Sequence, residues 1–173
     1  VTLCAAHPHP AGCADGAVKI VDATASTEML QIDASNCVVE GIHFDNNVAT
    51  GTANDSTINV SDTTSTTGVV IRNCIIDMAG ADGDLDGITL GDSTPTATQA
   101  LIDGCDFRSP DQIGILVNAG SDKNIIQNCV FREGDSNTST FMIDCGGDDC
   151  IIRNNVMHAG GTAGIGNGAA AST

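Results

Sequence analysis

Short aliphatic runs recur along the chain in two interleaved series. The first reads two aliphatic residues, a variable one, Asn or Gly, two further residues and a large apolar one. Its copies are Val38-Val39-Glu40-Gly41-Ile42-His43-Phe44, Val70-Ile71-Arg72-Asn73-Cys74-Ile75-Ile76, Leu101-Ile102-Asp103-Gly104-Cys105-Asp106-Phe107, Ile125-Ile126-Gln127-Asn128-Cys129-Val130-Phe131 and Ile151-Ile152-Arg153-Asn154-Asn155-Val156-Met157. Successive copies lie 32, 31, 24 and 26 residues apart. A second series precedes each copy: Leu30-Gln31-Ile32, Ile58-Asn59-Val60, Ile88-Thr89-Leu90, Ile115-Leu116-Val117 and Met142-Ile143, with a sixth member at Ile165. The runs are too short for helices and alternate with period two, so they predict strands, two or three per repeat. The alternation from Ile71 to Ile76 works only if one residue is consumed by a bend. Gly41, Asn73, Gly104, Asn128 and Asn154 hold that position, and Gly and Asn take left-handed backbone angles most cheaply. Such a bend keeps Ile71, Cys74 and Ile76 all facing inward.

Repeats of this length, with strands on fixed faces, stack as coils about 4.8 Å apart. The fold class predicted is all-β, a parallel β-helix solenoid of about six coils, forming a rod on the order of 30 Å long. Residues 1–17, with His7-Pro8-His9-Pro10 biased away from helix, read as an extended N-terminal lead-in, and 18–173 as the solenoid. The chain begins at Val1, and 164–173 open a structural unit that fades into Gly, Asn, Ala and Ser, which reads as a segment of something longer. The recurrent pattern resembles the right-handed parallel β-helix of the pectate-lyase-like family over about 18–173. That resemblance implies the right-handed fold and little chemistry, because the same fold carries lyases, hydrolases, virion spikes, adhesins and inert scaffolds.

Composition narrows the field. There are 22 acidic and 6 basic residues in 173, a formal net charge of −16, so a nucleic-acid backbone, which needs clustered Lys and Arg, is excluded as a partner. No apolar stretch approaches the roughly 18 residues of a membrane helix. With no Trp, no Tyr and four Phe, the core is expected to be built in thin layers of Val, Ile, Leu, Met, Cys and Ala. Arg72, Arg108, Arg132 and Arg153 recur in or just beyond the repeat, which predicts outward structural positions and no convergent site.

Of the eight cysteines, Cys74, Cys105 and Cys129 fill one repeat column, with Ile42 and Asn155 in the flanking coils. That column predicts an interior thiol stack, free Cys packing as a small hydrophobe. Cys145 and Cys150 bracket a Gly-Gly-Asp-Asp turn and are able to bridge, as are Cys4 and Cys13. No doubled short spacing of a zinc site occurs. The run Asp82-Gly83-Asp84-Leu85-Asp86-Gly87 matches the opening of a calcium loop, although position twelve is Ser93. Asp82, Asp84 and Asp86 are the candidate calcium ligands, Asp148 and Asp149 a weaker second set, and an acidic turn before a strand is the alternative.

Gly147-Asp148-Asp149-Cys150 is similar to a motif of polygalacturonase-like glycoside hydrolases on this fold, which pair two carboxylates as acid and base. The other elements of that pattern are missing: Asn118-Ala119-Gly120 and His158-Ala159-Gly160 stand where it has Asn-Thr-Asp and Gly-His-Gly, and Arg-Ile-Lys is absent. A lyase-type cation and base pair is equally undefined. His43 and His158 lack a nucleophile partner and read as exposed solenoid-face residues. Thr-rich stretches at 24–27, 63–67 and 94–98 are too irregular for a flat ice-binding array. Asn54, Asn59 and Asn137 begin glycosylation-type triplets of the kind this composition produces by chance.

No catalytic or cofactor-binding residue is assigned. The expectation is a structural or interaction module of an extracellular assembly, resembling β-helical phage structural proteins such as fibres, spikes and capsid decorations. Its partners would be other protein subunits, a homotrimer included, or a surface glycan. The alternative is a carbohydrate-active enzyme or glycan-binding adhesin, which would require carboxylates from adjacent coils to converge on one outer face.

Overall fold

The computed structural model describes residues 2–4, 19–22, 28–46, 55–78, 85–92, 94–110, 112–132, 141–158 and 163–166. Within them the two aliphatic series become strands of three parallel sheets, each of six strands. Sheet 1 contains Thr2–Cys4, Val38–Glu40, Val70–Arg72, Leu101–Asp103, Ile125–Gln127 and Ile151–Arg153. Sheet 2 contains Lys19–Asp22, His43–Asn46, Ile75–Asp77, Asp106–Arg108, Val130–Arg132 and Val156–Met157. Sheet 3 contains Leu30–Ile32, Asp55–Val60, Leu85–Leu90, Ile113–Val117, Phe141–Cys145 and Ala163–Gly166. A short fourth ladder pairs Thr66–Thr67 with Ala97–Thr98. The chain passes from sheet 3 to sheet 1 to sheet 2 and returns one coil further on, a parallel β-solenoid. The coil count is slightly lower than expected: four coils, from Leu30 to Arg132, carry nearly all of the buried core, and the fifth is half-exposed.

Register follows the repeat. Val39, Ile71, Ile102, Ile126 and Ile152 align down sheet 1, and Ile58, Ile88, Ile115, Ile143 and Ile165 down sheet 3. Every predicted bend residue is left-handed: φ is 69° at Gly41, 53° at Asn73, 65° at Gly104, 55° at Asn128 and 56° at Asn154. A second left-handed column lies five residues earlier in each coil, at Asn36, Gly68, Gln99, Lys123 and Asp149. The sheet 1 strands from Val38–Glu40 to Ile151–Arg153 are therefore hinged at both ends at constant spacing. The bends are tied along the rod by main-chain bonds, as in Asn73 N–H to Asp103 O (3.0 Å) and Gly68 N–H to Thr98 O (3.0 Å).

Inside the bends, Ile42, Cys74, Cys105 and Cys129 form the predicted column, all buried. Each thiol donates to the carbonyl two residues before it, Cys74 to Arg72 O at 3.3 Å and Cys129 to Gln127 O at 3.2 Å. Hydrogen bonds to Cys129 and Cys74, reinforced by burial, push the central Cys105 thiol well above its ordinary pKa. Asn155 continues the column with its amide, donating to Ile126 O at 3.1 Å and accepting from Cys129 N–H at 2.9 Å.

The expectation of a core without large anchors needs correction. Phe44, Phe107 and Phe131 are fully buried in one column, and the rings of Phe107 and Phe131 stack at 4.6 Å and 9°. Sheet 3 makes room for them at Gly114, where a Cβ would lie 2.8 Å from the Phe131 ring and 2.6 Å from Met142 O. Aromatic volume is scarce in this chain, and it is concentrated in a single file.

Candidate functional site

Outward positions of sheets 1 and 2 are occupied by pairs that bridge coils. Arg72 donates to Glu40 at 2.8 Å, Arg132 to Asp106 at 2.6 Å, Asn128 to Asp103 at 2.7 Å and Arg153 to Gln127 at 2.7 Å. Arg108 binds Asp106 at 3.0 Å, and Lys19 pairs with Asp45. The arginines thus hold the distributed structural positions predicted for them. His43 is a correction: it is 7 % exposed, with Nε2 3.7 Å from Asp77 Oδ2. The strand alternation turns it outward, but the outer face of sheet 2 is covered there, since Asp45 and Ile75 beside it are buried as well. His158 is exposed, as expected.

Sheet 3 is different. Its outward column runs Gln31, Asn59, Thr89, Leu116 and Asp144, and just past the strand ends the chain bends at Ser61 (φ 70°) and Gly91 (φ 75°). The residues after those bends, Asp62 and Asp92, therefore occupy the same place in successive coils, about one coil rise of 4.8 Å apart. With Glu28 of the preceding coil they border a cleft of about 240 Å³, whose floor is Asn59, Thr89 and Leu116 and whose far wall is Asn118. Carboxylates from three consecutive coils thus meet on one outer face.

The cleft is rich in acceptors. Asn59 is 5 % exposed; its Nδ2 donates to Glu28 Oε1 at 3.4 Å, while its buried Oδ1 has no donor within reach. Asn118 Nδ2 is already committed to Gly91 O at 2.6 Å. Burial, and then the negative charges of Glu28, Asp33 and Asp92, raise the Asp62 carboxyl above its ordinary value. At the rim, burial works against Asp33, but bonds from the Thr63 hydroxyl and N–H, Thr64 N–H and Gln31 outweigh it and hold that carboxyl below the usual range. The field favours a ligand that brings hydrogen-bond donors or positive charge.

The sequence-predicted residues that are described lie elsewhere. Asp82 and Asp84 are outside the described residues. Asp86 is 1 % exposed in strand Leu85–Leu90 and accepts from the Thr89 hydroxyl at 3.5 Å. Asp148 and Asp149 sit in the tight turn between sheets 3 and 1 of the fifth coil, with Asp149 left-handed. Among the described residues, no three His, Cys, Asp or Glu side chains are placed to hold one metal ion, and no helix is long and apolar enough to cross a membrane. Cys13 is outside the described residues, and Cys145 and Cys150 are free thiols. Sequence reading missed the cleft because Glu28, Asp62 and Asp92 share no local motif. The available signal was the equal offset of Asp62 and Asp92 from Val60 and Leu90.

No family model matches this chain, and no curated protein or solved structure matches it either.

Proposed function

We propose that the protein is a structural and interaction module of an extracellular assembly, a right-handed β-helix of the pectate-lyase-like kind, with a virus particle such as a phage as the setting its composition favours. The observation that carries this reading is the use of outward charge: on sheets 1 and 2, Arg72, Arg132, Asn128 and Arg153 tie one coil to the next. Such cross-coil pairs stiffen a rod whose coils otherwise touch only their neighbours. Apolar surface at both ends of sheet 3 supports subunit contact. A hollow beside Leu30–Ile32 is lined by Leu30, Ile32, Cys37, Val38 and Val39. At the other end Ile165 is 54 % exposed, although it continues a column in which Ile58, Ile88, Ile115 and Ile143 are sealed. The test is sedimentation velocity on the purified full chain across a concentration series. Reversible association into a defined oligomer, a trimer among the candidates, supports the module, and a strictly monomeric species at all concentrations overturns it.

The sheet 3 cleft favours a second reading, a glycan-binding or carbohydrate-active surface. Carboxylates and amides from successive coils suit the hydroxyl donors of a saccharide, and glycoside hydrolysis canonically uses a pair of carboxylates. Saturation-transfer NMR against a neutral and a uronic-acid oligosaccharide panel tests it. Signal lost in Asp62→Asn and Asp92→Asn supports glycan binding, and no transfer to any panel member refutes it.

A further inference from the structure

We infer that Cys145 and Cys150 are a dithiol site that closes to an intramolecular disulfide by exchange with a low-molecular-weight disulfide. In the second and third coils, the last inward residue of sheet 3 and the residue that follows the left-handed corner before sheet 1 both belong to the buried core. Those residues are Val60 and Val69 in one coil, Leu90 and Ala100 in the next, and all four are buried. Cys145 and Cys150 hold the same two places in the fifth coil, each thiol is the largest influence on the other's titration, and they reach Gly147 O at 3.7 Å and Ser121 O at 3.9 Å respectively. Only 146–149 separate them.

That connection is fixed from three directions. Asp149 takes the left-handed corner with φ 55°. Gly146 N–H donates to Val117 O at 2.7 Å, and Asp148 N–H to Asp122 Oδ1 at 2.8 Å. A Cβ on Gly147 would run into the Ser121 backbone, so the turn lies flat on the coil beneath it. The sulfurs are therefore held on the same side of a turn that has little freedom to separate them.

The contrast with the core column shows why this pair is open to exchange. Cys105 likewise interacts with Cys74 and Cys129, one coil away on either side, but all three are sealed, whereas Cys145 and Cys150 are both partly exposed. The hydrogen bond from Cys150 lowers Cys145 to about 7, while the same bond, with burial, raises Cys150. Cys145 is the attacking thiolate, since a thiol with a pKa near ambient pH exchanges fastest. Its Sγ attacks one sulfur of the small disulfide, forming a mixed disulfide and releasing one small thiolate, which takes up a proton. Cys150 then loses its proton to solvent, and its Sγ attacks Cys145 Sγ and expels the second small thiol. Two protein thiols are oxidised, and one small disulfide is reduced to two thiols.

The test equilibrates the folded full chain with oxidised glutathione, alkylates remaining thiols, and maps peptides by mass. A peptide pair joined through Cys145 and Cys150, two hydrogens lighter than the reduced pair, is the expected result, with Cys74, Cys105 and Cys129 alkylated only after denaturation. A second measurement needs no variant: at pH 7, iodoacetamide should modify Cys145 about tenfold faster than Cys150. In Cys150→Ser the glutathione adduct should remain on Cys145. Both residues fully alkylated after oxidation, or either one linked to Cys4 or Cys13, would overturn the assignment.

Discussion

Replacing Asn124 by Ala removes a side chain that stands in for main chain. In the second and third coils the corner before sheet 1 is preceded by the short strands Thr66–Thr67 and Ala97–Thr98. The fourth coil is shorter there, and no strand is present among its described residues 118–124. Asn124, fully buried, closes the gap: Nδ2 donates to Ala97 O at 3.0 Å and Ser121 O at 2.8 Å, and Oδ1 accepts from Ala100 N–H at 2.7 Å. Alanine leaves Ala97 O and Ala100 N–H without that partner and Ser121 O with the Cys150 thiol at 3.9 Å, and each buried group left unsatisfied costs about 1–3 kcal/mol. With partial relaxation the expected loss is about 3–5 kcal/mol, a large share of the roughly 5–15 kcal/mol that holds a domain. The control is Asn155→Ala, one coil on, where the amide makes bonds of 2.9 and 3.1 Å but is only partly buried. Water replaces those bonds, so about 1 kcal/mol is expected. The chain has no Trp or Tyr, so urea unfolding is followed by far-UV circular dichroism and compared at a common slope. If Asn124→Ala loses no more than Asn155→Ala, the idea that a side chain replaces a missing strand is wrong.

Asn73→Ala should cost about 1–2 kcal/mol because φ is 53° there, while Asn73→Gly should stay within about 0.5 kcal/mol of the parent in the same urea assay. Gly114→Ala should lose about 2–3 kcal/mol, since its Cβ would press on Met142 O and the Phe131 ring, and an unchanged midpoint would show that the aromatic file shifts freely. Asp33, held below its ordinary value of 3.8, contributes stability that is present above that value and lost as pH falls through its folded pKa. Asp33→Asn should therefore lower the urea midpoint at pH 7 and converge with the parent in acid. Asp62 has the opposite sign: its raised value penalises the folded state as pH rises above 3.8 and through the folded pKa. Asp62→Asn should raise the midpoint at neutral pH, with the difference shrinking on acidification.

Much of the fold was legible because one bend per coil falls on Gly or Asn. The second bend column was not, since Gln99 and Lys123 adopt left-handed angles with no propensity for them. Cross-coil hydrogen bonds hold them there, Gln99 N–H to Asp122 O and Lys123 N–H to Asp148 O, and tertiary bonding of that kind leaves no trace in local sequence. The thiol column is readable as a column, whereas the phenylalanine file is hidden because only four Phe occur and Ile76 interrupts it between Phe44 and Phe107. His43 was misread because period two identifies an outward side without saying what covers it. The cleft escaped notice because unequal loops, with copies 32, 31, 24 and 26 residues apart, hide positions that coincide only after stacking.

The constant interval between the paired left-handed corners gives the sheet 1 segment of each coil the same frame as its neighbours. Loops outside the corners change length from coil to coil, yet every sheet 1 strand meets the next in the same frame. Insertion or loss of a whole coil therefore preserves the sheet 1 register, and length changes in steps of one strand spacing, about 4.8 Å. A molecule built this way works as a counter: the number of corner pairs in the gene sets a distance in space, and selection can lengthen or shorten it without redesigning the cross-section.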